Sequence, residues 1–192
     1  MKRSADLRVQ KTRDAIRSTF KDMVMEMGAS EITVKELAER ARIHRKTFYL
    51  HYSCIEALYE ELFSEHAERF FAALDGASGG TDFLTFNRVF FEFMAGQEPY
   101  LEKIICDLSY RENADRFFLF LIRSNLSRFK PFAAYPRTAR NIIVSFLSTG
   151  MVELYRRWVA DGKELPVGEL IALSGQLFLH GVSSVSEGGK QA

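Results

Sequence analysis

Residues Thr33–Tyr52 read TVKELAERARIHRKTFYLHY, and their spacing decides the fold. Thr33, followed three residues later by Glu36, is the capping-box pairing that opens an α-helix. Val34, Leu37, Ala38 and Ala41 then repeat on one helical face. The two alanines are small, so a second helix crosses there at close range. A short helix follows from about His44 to His51, with Phe48 pointing into the same core. A helix, a tight connection and a second short helix make the helix-turn-helix plan. With Phe48 turned inward, the second helix is left with a face of His44, Arg45, Lys46, Thr47, Tyr49 and His51. These side chains are dense in donors that suit phosphate oxygens and base edges. In this plan the second helix lies in the major groove of double-stranded DNA.

The pattern continues as helix on both sides. Upstream, Ile16, Phe20, Met23, Val24 and Met27 share one face, and Gly28 offers a left-handed residue to end that helix. Downstream, Ser53 with Glu56 is a second capping box, opening a helix through about Leu74. The glycines at 76, 79 and 80 form a joint. Further helices are expected near 82–95, 98–108, 113–130, 138–161 and 167–182, separated by Gly96 and Pro99, Pro131 and Pro136, and Gly162 and Pro166. No strand alternation is present, so the expected class is all-α: a three-helix DNA-binding head over residues 1–55 and a helical effector-binding and dimerisation body over 56–186.

The charge distribution agrees with that division. Residues 1–55 hold 12 Lys/Arg against 7 Asp/Glu, and residues 56–192 hold 14 against 18. A basic head on an acidic body suits a polyanion at the head. Cys54 and Cys106 have no metal or redox spacing, which suggests a reduced, cytoplasmic setting. No apolar run is long enough to span a bilayer, and no signal peptide opens the chain. No Ser-His-Asp set, metal cluster or phosphate loop appears, so neither an enzyme nor a cofactor is expected. His66 and His180 have no partners at metal spacing and read as ordinary residues.

The stretch from Ile32 to Leu58 resembles the DNA-binding head of the tetracycline-repressor (TetR) family. The matching residues are Thr33, Leu37, Ala38, Ala41, Ile43, Thr47, Phe48, Tyr49, His51, Tyr52, Glu56 and Leu58. The rest of the chain resembles the family in length and helical plan. Three positions depart from its pattern. Arg42 stands where a turn glycine is usual, Lys46 replaces another glycine, and Ile55 replaces a lysine that contacts phosphate. The phosphate grip is then expected to shift to Lys46, Tyr52 and the start of the next helix. The expected DNA-contact set is Thr33, Lys35, His44, Arg45, Lys46, Thr47, Tyr49, His51 and Tyr52. For Tyr49 and Tyr52 half-buried packing is the alternative, and for His44 and His51 simple solvation.

The body carries two further expectations. Ile143, Leu147, Met151, Leu154 and Trp158 form one stripe, broadened by Ile142, Phe146 and Tyr155, and Leu170, Leu173 and Leu177 form another. The resemblance implies that these helices pair with a second copy in a four-helix bundle; an intrachain core is the alternative. The middle helices are rich in phenylalanine, and the resemblance implies a cavity there for a small effector. Phe86, Phe90, Tyr100, Phe117, Phe120 and Arg123 are the candidates to line it, with Asn87, Arg88 and Asn125 as further polar groups. The expected function is a transcriptional regulator, a repressor released from a pseudo-palindromic operator by a small-molecule effector. A non-responsive architectural DNA-binding protein is the alternative.

Overall fold

The computed structural model describes the backbone of residues 2–77, 82–125 and 135–181, and the side chains of 7–77, 82–119, 121 and 135–181. Among the described residues the fold is all-α, with no strand. The helices are α1 (Lys2–Glu26), α2 (Val34–Arg40), α3 (Arg45–Tyr49), α4 (Ile55–Asp75), α5 (Phe83–Ala95), α6 (Pro99–Cys106), α7 (Arg111–Asn125), α8 (Arg137–Ala160) and α9 (Val167–His180). Single 3₁₀ turns at Ala29–Glu31 and Leu108–Tyr110 complete the order. Proline sits in the first turn of α6, where its missing N–H costs nothing.

Two compact units divide these elements. The first comprises the chain up to His66 together with Glu98–Phe117. As a packing unit, this group runs past the division expected at residue 55 into α4 and takes in α6. Ile16, Phe20, Met23 and Val24 of α1 are fully buried, as are Leu37 of α2, Phe48 of α3, Leu58 of α4 and Ile104 of α6. Burying a side chain of this size contributes roughly 1.5–3 kcal/mol, so α1, buried along one face, is the spine of this unit.

The end of α1 departs from the expected plan. Gly28 is extended (φ −84°, ψ 164°), not left-handed. Side chains distant in sequence cap the helix instead. The Lys103 ammonium donates to the Met25 carbonyl at 3.0 Å and reaches the Met27 carbonyl at 3.4 Å, where the buried Tyr110 hydroxyl also donates at 2.8 Å. The carbonyls at the end of α1 are met by side chains of α6 and the turn after it.

The second unit holds Ala67–Gln97 and the described residues after Phe117. Phe70 meets Phe86, Phe90 and Phe93 edge-on. Tyr155 of α8 is buried and donates to the Met94 carbonyl at 3.1 Å. The α5–α9 contact is polar at its centre. Asn87, fully buried, donates to the Ile171 carbonyl at 3.0 Å and accepts from the Ser174 hydroxyl at 3.1 Å. At Gly150, a Cβ would stand 2.8 Å from the Phe178 ring, so the glycine is what lets α8 and α9 approach.

Candidate nucleic-acid interface

The helix-turn-helix is built by local hydrogen bonds. The Thr33 hydroxyl accepts from the Glu36 N–H at 3.2 Å and caps α2. Glu36 turns its carboxylate to Arg40 at 2.8 Å, and Arg40 also pairs with Glu26 of α1, so this cation is spent inside the head. The α2–α3 turn closes with Ile43 N–H on the Ala38 carbonyl (2.9 Å) and Arg42 N–H on the Glu39 carbonyl (3.1 Å). Those two bonds are the Schellman pattern, which places the intervening residue in the left-handed region. That residue is Arg42, at φ 54°. The turn therefore keeps its geometry without the usual glycine and carries the strain of a side chain at positive φ.

His44 N-caps α3, and the Thr47 N–H meets its carbonyl at 2.8 Å. The helix is shorter than expected, Arg45–Tyr49, with Phe48 fully buried. His44, Arg45, Lys46 and Tyr49 are exposed, and Thr47 and His51 are half-buried. Thr33 and Lys35, at the start of α2, are exposed. The start of α2 and the helix α3 thus present polar side chains to solvent.

Tyr52 lies elsewhere. It is 4 % exposed, and its hydroxyl donates to Glu61 at 2.9 Å. Arg13 pairs with Glu61 and lies over the Tyr52 ring at 5.7 Å, while Arg17 bridges Glu61 and Glu65. Burial, with the Glu61 contact, pushes the Tyr52 phenol up to about 12. Hydrogen bonding to Glu61 holds the Arg13 guanidinium charged, and the Arg17 guanidinium holds the Glu65 carboxyl below its ordinary range. The packing alternative thus describes Tyr52, which ties the recognition unit to α4 and offers nothing to phosphate. The second capping box is displaced too: α4 opens at Ile55, so Cys54 precedes it and Ser53 lies one residue outside. Leu50, absent from the expected set, is 84 % exposed at the end of α3. An apolar residue one turn after Lys46, on a face otherwise polar, was the signal for it in the sequence.

The expected effector residues divide between the units. Phe86 and Phe90 belong to the second, against Phe70. Tyr100 and Phe117 belong to the first, both buried: Tyr100 is 2.6 Å from His66 Nε2, and Phe117 packs on Phe63. The side chains of Phe120, Arg123 and Asn125 lie outside the described residues. Asn87 is committed to α9, and Arg88 pairs with Glu92 at 3.0 Å.

On α8 and α9 the outward stripe is rotated from the expected one. Met151, Trp158 and Leu170 are buried by their own unit, and Trp158 donates to the Leu165 carbonyl at 2.7 Å. For these three the intrachain-core alternative holds. Ile143, Leu147, Leu154 and Leu177 are half-buried. The apolar residues left exposed are Ile142 (71 %), Phe146 (65 %), Leu173 (40 %) and Leu179 (49 %). α8 is apolar on two sides, so periodicity alone could not say which side its own chain covers.

Among the described residues there is no His/Cys/Asp/Glu group fit to hold a metal ion, and no helix is long and apolar enough to cross a membrane. No protein-family model and no curated protein matches the sequence. Solved structures do match its fold. A TetR transcriptional regulator from Streptococcus agalactiae superposes with a TM-score of 0.68 at 19 % identity, covering 93 % of this chain and 99 % of its own. NalD, the secondary repressor of the MexAB-OprM multidrug efflux pump in Pseudomonas aeruginosa, gives 0.63 at 20 % identity, covering 90 % and 97 %. FadR from Bacillus subtilis, in complex with stearoyl-CoA, gives 0.63 at 16 % identity, covering 88 % and 99 %. At these identities the likeness is one of architecture: the chain has the all-helical fold of the TetR-type transcriptional regulators.

Proposed function

We propose that this chain is a DNA-binding transcriptional regulator of the cytoplasm that acts as a homodimer and reads a pseudo-palindromic operator through α3. One observation carries the reading: a capped, Schellman-turned helix pair whose second helix buries Phe48 and leaves His44, Arg45, Lys46 and Tyr49 exposed together. Such a surface makes phosphate contacts that position the protein and base contacts that select sequence. The exposed apolar residues Ile142, Phe146, Leu173 and Leu179 are the face that a second copy covers in this proposal. A two-fold dimer then sets two copies of α3 about 34–36 Å apart, one helical turn of DNA.

Release by a small-molecule effector is the second part of the proposal. It draws support from the architecture shared with NalD, a repressor, and with FadR, whose structure holds stearoyl-CoA. The effector is taken up by the helical body, and an effector that lowers DNA affinity must itself bind less tightly when DNA is present, by the same factor. The architectural alternative is favoured by the packing of Phe90, Tyr100 and Phe117, which are buried against side chains of their own units.

The test is selection of bound sequences from a random DNA pool, followed by titration of the recovered site. A two-fold symmetric site is expected, with Lys46→Ala weakening binding and lowering the salt slope by about one. Absence of any enriched sequence would remove the function. Sedimentation should give a dimer that Phe146→Asp converts to a monomer; an unchanged mass would place the subunit contact elsewhere. Ligands found by thermal shift that bind equally with and without the operator would replace the effector-released reading by the architectural one.

A further inference from the structure

The exposed surface of α3 contains one group that its cations do not explain. Leu50 caps the helix in right-handed conformation (φ −74°, ψ −19°) and is 84 % exposed. Phe48, two residues earlier, supplies the anchor to the core and is fully buried. Leu50 therefore contributes next to nothing to the packing of the head. It stands one helical turn after Lys46 and beside Tyr49, which is 50 % exposed, in the same short segment that exposes His44 and Arg45.

The chemistry of the major groove limits what an apolar side chain finds there. Phosphate oxygens and most base-edge groups are hydrogen-bonding, and pressing a leucine on them removes water without replacement. The apolar feature among the four bases is the C5-methyl group of thymine. Reach is satisfied as well. Five residues of helix rise about 7.5 Å, less than the roughly 12 Å width of the groove, so the end of α3 enters together with its start. We infer that Leu50 is a specificity-determining residue that reads the methyl group of a thymine in each half-site. This rests on the reading of α3 as the DNA-contacting helix and adds to it a base preference at one position.

Deoxyuridine is the probe, because it pairs with adenine as thymine does and lacks only the methyl group. Each thymine of the site selected by the wild-type protein is replaced in turn, and Kd is measured for the wild type and for Leu50→Ala. One position per half-site is expected to cost the wild type about four-fold, equivalent to ~0.8 kcal/mol for one buried methyl group. At that position Leu50→Ala should show no penalty, while penalties elsewhere stay as in the wild type. Since Leu50 is exposed, the variant should keep its helical content and thermal midpoint, which circular dichroism checks. If the variant retains every deoxyuridine penalty of the wild type, or if the wild type binds its site selectively with no penalty anywhere, the role of Leu50 is overturned and the DNA-reading function stands. If the pool yields no selected sequence, the function itself fails and the role of Leu50 goes with it.

Discussion

Removing the Tyr110 hydroxyl tests how the head is held together. Tyr110 is fully buried, and its hydroxyl donates at 2.8 Å to the carbonyl of Met27, just past the end of α1. Tyr110→Phe keeps the ring and deletes one neutral hydrogen bond, a loss of about 1 kcal/mol. Lys103 limits the damage, because its ammonium lies 3.4 Å from the same oxygen and 3.0 Å from the Met25 carbonyl. Lys103→Met alone removes a cation from a helix C-terminus at a partly exposed site, again ~1 kcal/mol at most. Together the two changes leave the Met27 carbonyl without either donor, so their joint cost should exceed the sum of the separate ones by about 0.5–1 kcal/mol. In a chain of this length each kcal/mol is worth roughly 2–4 °C. The expected thermal shifts are then about 2–4 °C for either single variant and roughly 5–12 °C for the double, at fixed protein concentration. Burial pushes the Tyr110 phenol up to about 12, so the donor keeps its proton at neutral pH and the result should not change between pH 6 and pH 9. Scanning calorimetry of the four proteins is the assay. A double variant whose shift merely equals the sum, or a Tyr110→Phe protein that melts like the wild type, would refute the shared capping of α1.

Arg42→Gly should stabilise the protein by about 0.5–1 kcal/mol, since relief of a left-handed side chain (~1–2 kcal/mol) exceeds the added entropy of glycine in the unfolded chain; urea denaturation that finds it less stable than wild type would contradict the strain at that turn. Tyr52→Phe should lower the thermal midpoint and leave operator affinity within about two-fold, because its hydroxyl faces Glu61; a large loss of DNA affinity with unchanged stability would return Tyr52 to the DNA surface. Alkaline unfolding is expected as well. Burial raises the phenols of Tyr52, Tyr59 and Tyr110 from the ordinary 10, to about 12 for Tyr52 and Tyr110. The folded state then holds protons that the unfolded state releases, so the stability these groups supply is complete below pH 10 and is lost as pH rises through about 12. Phenolate absorbance should grow together with loss of the helical signal, and a titration in which every tyrosine ionises near 10 with the fold intact would exclude it.

Thr33–Phe48 could be read from residues alone because the features that shape it are mostly local. The Thr33 cap, the Leu37 and Ala38 face, the short turn and the inward Phe48 are set by neighbours within a few positions, and the structure places each as expected. Among the described residues the same is true of helix number and approximate ends, where prolines and glycines punctuate a strong helical period; the ends expected at 130 and 182 lie outside the described residues. At Arg42 the residues left two readings open, a strained left-handed side chain or an altered turn, and the structure has the first, with φ at 54°.

What the tertiary structure decided depends on partners far along the chain. Gly28 is extended and not a left-handed cap, and Lys103 and Tyr110 meet carbonyls at the end of α1 instead. Tyr52 is buried, unlike the exposed side chains of α3, because Glu61, Arg13 and Arg17 build an ionic contact around its hydroxyl. Asn87, polar and so a natural candidate for binding, is consumed by Ile171 and Ser174. On α8 the sequence determined that two sides are apolar; packing against its own unit chose Met151 and Trp158 for the interior and left Ile142 and Phe146 outside. Periodicity reports how apolar residues are spaced around a helix and turns reveal themselves within four residues, whereas which face is covered is settled by contacts between segments that sequence spacing does not encode.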